Sequence, residues 1–164
     1  MKTLYLLRHA KSSWNFDELS DHERPLNDRG RDDAPHMGQA LAKRRIRLDL
    51  VVSSPAVRAM STAVLVAREM QYPHDKIVVE PGIYGADVDN LLTIIHNLPE
   101  AAGSVLLVGH NPTITETANE LSPSTLNEMP TAAVVCLHFD CEHWAEVSKA
   151  NAEFYFYDYP RNVK

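Results

Sequence analysis

The sequence has few cysteines, no long hydrophobic run and no excess of positive charge. Its only two cysteines, Cys136 and Cys141, lie close together. Because no secretory signal precedes them, we expect free, reduced thiols rather than a disulfide framework. The first apolar run covers residues 4–7 and ends at the charged Arg8, which is too short for a signal peptide or a membrane span. We therefore expect a cytoplasmic protein that does not contact a membrane.

The scarcity of basic residues excludes another class of partner. Sixteen lysines and arginines stand against 22 aspartates and glutamates, a formal net charge of -6. Nucleic-acid binding requires clustered basic side chains that neutralise phosphates, so we expect no nucleic-acid partner. Internal repeats and low-complexity tracts are also absent. Hydrophobic residues make up 45% of the chain, which is typical of a globular protein, and the length predicts a single domain over residues 1–164.

Strand and helix patterns alternate along the chain, and this alternation predicts an α/β domain. The last two β-rich runs are joined by a segment too short for a crossover helix, which favours an antiparallel pair. We therefore predict a three-layer α/β/α sandwich with a mostly parallel central sheet of about six strands and an antiparallel edge pair. The predicted strands cover residues 3–8, 49–53, 76–79, 104–109, 131–139 and 153–159.

Capping residues and prolines predict where the helices begin. Asn27 is expected to cap a first turn, but Pro35 cannot donate a backbone hydrogen bond. We therefore predict a kink or a separate first turn, with the main helix starting near Ala34. In the next unit, Ser54 is predicted to be an N-cap and Pro55 the first residue of a helix over residues 55–70. Later helices are predicted over residues 88–98 and 113–121.

Arginine and histidine side chains follow three of the predicted strands. Arg8 and His9 follow the first, Arg58 lies one turn into the helix after the second, and His110 follows the fourth. Ligands in open α/β sheets bind beyond the carboxyl ends of the strands, so these side chains should converge. Guanidinium groups suit phosphoryl oxygens, and a histidine among cations stays neutral and nucleophilic. The pattern indicates phosphoryl-transfer chemistry that needs no metal.

The motifs that contain these residues resemble those of the histidine phosphatase (phosphoglycerate mutase-like) superfamily. LLRHAKSSWN, residues 6–15, resembles the RHG motif of that family. SSPAVRA, residues 53–59, is similar to the second motif, and VGHNP, residues 108–112, is similar to the third. PLNDRG, residues 25–30, fits the turn before the first helix of the family.

This resemblance implies a role for each matched position. His9 would be the phosphorylated nucleophile, and Arg8 and Arg58 would bind the phosphoryl group. His110 would complete the catalytic pocket, and Asn15 matches a position that often contacts the phosphate. No cofactor and no metal ion are implied.

Two departures from the family pattern bear on the substrate. Ala10 replaces the usual glycine of the first motif. Members that act on phosphate esters commonly carry a catalytic acid after the third strand, where this chain offers only Glu80 and Asp87. An alkoxide needs a proton to leave, whereas the nitrogen of phosphohistidine leaves with far less help. The chain lacks a clear catalytic acid and has no insertion long enough to form a lid over the site. In both respects it resembles the short SixA-like branch of the family. That resemblance implies a phosphohistidine phosphatase that acts on a protein phosphotransfer domain.

Alternative functions remain open at this point. The chain could be a phosphatase or mutase acting on a small phosphorylated metabolite, with Glu80 or Asp87 as the acid. A non-catalytic phosphate-binding module is a further alternative on the same fold. A zinc site is a further alternative. Four side chains near the end of the chain are of the types that bind zinc, although their spacing is not one of the usual zinc-site patterns; they are Cys136, His138, Cys141 and His143. The acidic group near the first loop is interpreted as a solvated face, and it comprises Asp17, Glu18, Asp21 and Glu23.

Overall fold

The computed structural model describes residues 1–164. Its strands are β1 Lys2–Arg8, β2 Leu50–Ser53, β3 Val78–Val79, β4 Ser104–Gly109, β5 Val134–Phe139 and β6 Ala152–Asp158. Its α-helices are α1 Asp28–Lys43, α2 Val57–Glu69, α3 Val88–His96, α4 Thr113–Leu121 and α5 Pro160–Val163. None of these helices has the length and apolar character that crossing a membrane requires.

All six strands form one sheet in the order β3-β2-β4-β1-β5-β6. Strands β1 to β4 are parallel, whereas β5 runs antiparallel to β1 and β6 antiparallel to β5. The predicted mixed sheet with an antiparallel pair at one edge is confirmed. The carboxyl ends of β2, β4 and β1 are therefore neighbours at one edge of the sheet.

Both faces of the sheet are covered by helices. Leu4 and Leu6 of β1 belong to a core shared with α3 and α4, and Tyr5 and Leu7 belong to a core shared with α1 and α2. Successive side chains of a strand point to opposite faces, so a strand between two helical layers is apolar throughout. Burying each such leucine contributes about 1.5–3 kcal/mol, and this keeps the ends of the central strands rigid.

The first helix begins earlier than predicted, at Asp28 rather than near Ala34, and it continues through Pro35 without a separate first turn. Asn27 does cap it, accepting a hydrogen bond from the Gly30 backbone N–H at 2.9 Å. A proline inside a helix costs about 3 kcal/mol. Burial of Met37 and Leu41 against the sheet and α2 offsets that cost, since tertiary packing routinely overrides local propensity.

The connection from β2 to α2 also differs from the prediction. The helix begins at Val57 with Ala56 at the N-cap position, so Ser54 is not the cap. The Ser54 N–H donates to the Val108 carbonyl at 3.1 Å, which continues the sheet ladder beyond β2. The helix begins only after that bond, and Ser54 stays at the sheet edge. Strand β3 is shorter than predicted because residues 74–76 form a 3-10 turn.

Candidate active site

The predicted arginines and histidines meet at the carboxyl edge of the sheet. Arg8 is the last residue of β1 and pairs in register with Gly109, the last residue of β4. The His9 N–H donates to the Gly109 carbonyl at 3.1 Å, so the two chain segments leave the sheet side by side. The His9 and His110 rings consequently lie 5.1 Å apart between centroids.

His9 is held in its neutral form with a fixed ring orientation. Its Nδ1 lies 2.7 Å from the Ala10 carbonyl oxygen, and because a carbonyl only accepts, Nδ1 carries the ring proton and Nε2 has a free lone pair. Burial lowers the pKa of His9 to about 3, and His110 and the nearby arginines add to the effect. The Ala10 N–H donates to Thr62 Oγ1 at 2.9 Å, which fixes the carbonyl that orients the ring.

His110 is oriented by the serine that follows β2. Its Nε2 lies 2.8 Å from Ser54 Oγ. That oxygen accepts from the Ala56 N–H at 3.2 Å, and His110 Nε2 is the one acceptor within reach of the hydroxyl proton. We therefore assign the hydroxyl proton to the bond with His110 Nε2 and the ring proton to Nδ1. Burial, followed by the charge of Arg58, lowers the pKa of His110 to about 4. His110 is therefore a neutral donor.

Each arginine is anchored through the terminal Nη atoms of its guanidinium group. Arg8 donates from Nη1 to the Met129 carbonyl at 2.8 Å, and burial lowers its pKa. Arg58 donates from Nη1 to the Asp21 carbonyl at 2.6 Å and from Nη2 to Asp21 Oδ2 at 3.0 Å. The Asn111 side-chain amide also donates to the Met129 carbonyl at 3.0 Å, so the segment before β5 is part of the support for Arg8.

Three nitrogens of the site are buried without a hydrogen-bond partner. They are Nε of Arg8, Nε of Arg58 and Nδ1 of His110, three of the five such side-chain atoms in the protein. Leaving a buried donor unpaired costs about 1–3 kcal/mol. The cost is recovered if a ligand with several acceptor oxygens binds there, and a phosphoryl group has that chemistry.

The two predicted acids are both helix caps. Glu80 accepts from the Gly82 N–H at 3.0 Å and caps the 3-10 helix Pro81–Ile83. Asp87 accepts from the Asn90 N–H at 2.8 Å and caps α3. Neither carboxylate is hydrogen-bonded to the arginines or histidines described above.

A carboxylate from the first loop lies in the site instead. Oδ2 of Asp21 accepts from Arg58 and from the Tyr84 hydroxyl, the latter at 2.7 Å, and Oδ1 accepts from Arg24 Nε at 3.1 Å. Hydrogen bonds from Tyr84 and Arg58 lower the pKa of Asp21 to about 2. Tyr84 also faces His110 edge-on at 5.6 Å between centroids. Asp21 is exposed, as a solvated face requires, but it also contacts the site, which the sequence interpretation did not include.

Sequence reasoning missed Asp21 and Tyr84 because nothing local connects them to Arg58. The only local signal is the three-residue spacing between Asp21 and Arg24. Asn15 is exposed, and its backbone N–H donates to Ser13 Oγ. Its side chain takes part in none of the hydrogen bonds that hold the site.

Other parts of the molecule offer no comparable cluster. No group of three or more His, Cys, Asp or Glu side chains is arranged to hold a metal ion. Cys136 is buried and Cys141 partly buried, both as free thiols. A cavity of about 780 Å³ includes Arg45 and Tyr72 and lies at the opposite edge of the sheet. A smaller cavity of about 220 Å³ adjoins His110.

Comparison with known proteins agrees with this geometry. Residues 4–84 match the family model of the histidine phosphatase superfamily (branch 1). The structure of the protein histidine phosphatase SixA complexed with tungstate superimposes with a TM-score of 0.83 and 25% identity, covering 99% of each chain. Phosphohistidine phosphatase SixA of Escherichia coli is 26% identical over 133 residues, 80% of this chain and 81% of that protein.

A chloroplast protein of Arabidopsis thaliana of unassigned activity is 29% identical over 154 residues, 88% of this chain and 70% of that protein. The family model, the SixA matches and the arrangement of two arginines and two histidines agree. The chain belongs to the histidine phosphatase superfamily and is SixA-like.

Proposed function

We propose that this phosphatase removes the phosphoryl group of phosphohistidine on a protein phosphotransfer domain, through a phosphorylated His9 intermediate. The observation that carries the proposal is the neutral His9 beside three buried, unpaired N–H groups. The names of the SixA relatives support the same substrate class.

The first step transfers the phosphoryl group to the enzyme. The lone pair of His9 Nε2 forms a bond to phosphorus while the bond between phosphorus and the substrate nitrogen breaks. Nε of Arg8, Nε of Arg58 and Nδ1 of His110 donate to the phosphoryl oxygens, where charge is spread in the transition state. Water then attacks phosphorus while the bond between phosphorus and His9 Nε2 breaks. The electron pair of that bond returns to Nε2, and both water protons leave with inorganic phosphate.

The surroundings favour a leaving group that needs no acid from the enzyme. Asp21 is ionised at neutral pH, with a pKa of about 2, and Glu80 and Asp87 are engaged in caps. A phosphate ester would leave as an alkoxide that needs a proton, whereas phosphohistidine leaves as imidazole. The two arginines supply the positive charge that metal ions supply in other phosphoryl-transfer enzymes, so we propose that activity survives treatment with a chelator.

The test combines substrate preference with trapping of the intermediate. Wild type should prefer a phosphohistidine peptide over sugar phosphates and phosphoglycerates in kcat/KM. After incubation with a labelled phosphodonor it should carry an acid-labile, base-stable phosphoryl group. His9→Ala should lose the label and about a thousandfold or more in activity, whereas the exposed His74 can be changed to Ala without effect.

Three outcomes contradict the proposal. A preference for an ester would assign the protein to small-molecule phosphatases or mutases. A label retained by His9→Ala would exclude His9 as the nucleophile. Tight phosphate binding without turnover of any substrate would indicate a binding module.

A further inference from the structure

We propose that Asp21 is a specificity-determining residue that binds the departing ring, and that it selects the cationic ring of protonated phosphohistidine over substrates whose leaving group carries a carboxylate. This inference rests on the proposed function, since it concerns how the same site recognises phosphohistidine. If Asp21 only supported Arg58, its substitution would lower the activity toward every phosphorylated substrate equally.

Asp21 joins a buried arginine to the protein surface. The Arg58 side chain that it holds is only 7% exposed, whereas the Asp21 side chain is 51% exposed. Tyr84, the other partner of Oδ2, stands edge-on to His110. Asp21 also acts on the charge of His110, whose ring lies beside that of His9, so the exposed carboxylate is close to the place where a phosphoryl group would bind.

The carboxylate keeps hydrogen-bonding capacity for a ligand. An ionised carboxylate offers about four acceptor positions. Oδ2 uses two of them, for Arg58 and Tyr84, and Oδ1 uses one, for Arg24. One acceptor position on Oδ1 of this half-exposed side chain thus remains for a ligand.

A fixed negative charge at this place is unfavourable for phosphate alone. Asp21 partly cancels the charge of Arg58, and like charges repel an entering dianion. The arrangement becomes favourable when the substrate carries a positive charge next to its phosphoryl group. A carboxylate opposite a cation stabilises the charged form of that group, and repulsion of unwanted partners is a common source of specificity.

Protonated phosphohistidine has the required charge. Its ring carries the phosphoryl group on one nitrogen and a proton on the other, and that N–H can donate to Asp21. When His9 Nε2 bonds to phosphorus, the electron pair of the broken P–N bond returns to the leaving nitrogen. The ring departs as neutral imidazole and keeps its proton, so no proton moves during cleavage. Asp21 thereby keeps the ring protonated, so that it leaves as neutral imidazole rather than as an imidazolate anion, and Asp21 itself donates no proton.

The experiment measures a ratio of two activities in full-length variants. Asp21→Asn removes the charge and keeps an acceptor for Arg58 and Tyr84, Asp21→Glu keeps the charge, and Asp17→Asn removes an exposed acid of the same loop. For each we compare kcat/KM for a phosphohistidine peptide with kcat/KM for 3-phosphoglycerate. Thermal unfolding confirms that each variant is folded.

We expect the ratio to fall about tenfold in Asp21→Asn, the effect of one charge interaction near a protein surface. Asp21→Glu should recover part of it and Asp17→Asn should match wild type. An unchanged ratio in Asp21→Asn, whether both activities stay the same or fall equally, would overturn the leaving-group role. The phosphohistidine preference of wild type would still stand. If wild type itself prefers 3-phosphoglycerate, the proposed function fails and this inference fails with it.

Discussion

Acidification should destabilise the protein through the two buried histidines of the candidate site, His9 and His110. Burial is the main cause that lowers the pKa of His9 to about 3 and that of His110 to about 4, from an ordinary value of 6.5. The unfolded chain therefore binds protons on both residues at pH values where the folded protein does not. Stability from this source is complete above about pH 6.5 and is lost as the pH falls toward 3.

The size of the effect follows from these pKa values. Each unit of pKa difference corresponds to about 1.4 kcal/mol. Between about pH 7.5 and pH 5, linkage gives a loss of about 2 kcal/mol for His9 and about the same for His110. Together they remove about 4 kcal/mol of stability. This is a large part of the free energy of unfolding of a typical domain, which is about 5–15 kcal/mol.

Urea unfolding at the two pH values measures this loss in wild type, His9→Asn, His110→Asn and the double variant. The buffers must lack phosphate, because an anion bound to the folded state adds stability of its own. The pH-dependent loss should shrink by about 2 kcal/mol in each single variant and about 4 kcal/mol in the double variant. An equal pH dependence in wild type and the double variant would refute the reasoning.

Two further substitutions test the support of the site. Gly30→Ala should destabilise the protein by about 2 kcal/mol in urea unfolding, because its Cβ would lie 2.1 Å from a backbone oxygen of the loop after β1. The control Gly103→Ala meets its nearest atom at 3.5 Å and should be nearly neutral. Ser54→Ala removes the partner of His110 Nε2 and should lower kcat about tenfold. Ser53→Ala keeps that bond, because the Ser53 hydroxyl donates elsewhere, and it should not lower kcat. Equal rates in the two serine variants would contradict the assignment of Ser54 as the residue that orients His110.

The sequence by itself determined the arrangement of the four central site residues. Strand β4 and helix α4 have the predicted bounds, because an apolar run buried on both faces and an amphipathic helix are local patterns. The sequence predicted that the four side chains lie close together, because the carboxyl ends of parallel strands share one edge of the sheet. They are Arg8, His9, Arg58 and His110. That rule needs the order of strands and helices but no side-chain coordinates.

Only the tertiary structure decided what surrounds those residues. The helix through Pro35 is maintained by packing against other elements, and Ser54 stays at the sheet edge because of its bond to β4. Asp21 meets Arg58 across 37 residues of sequence and Tyr84 across 63. Such pairs form because the folded chain brings their segments together, and no local periodicity or spacing encodes a contact between residues so far apart.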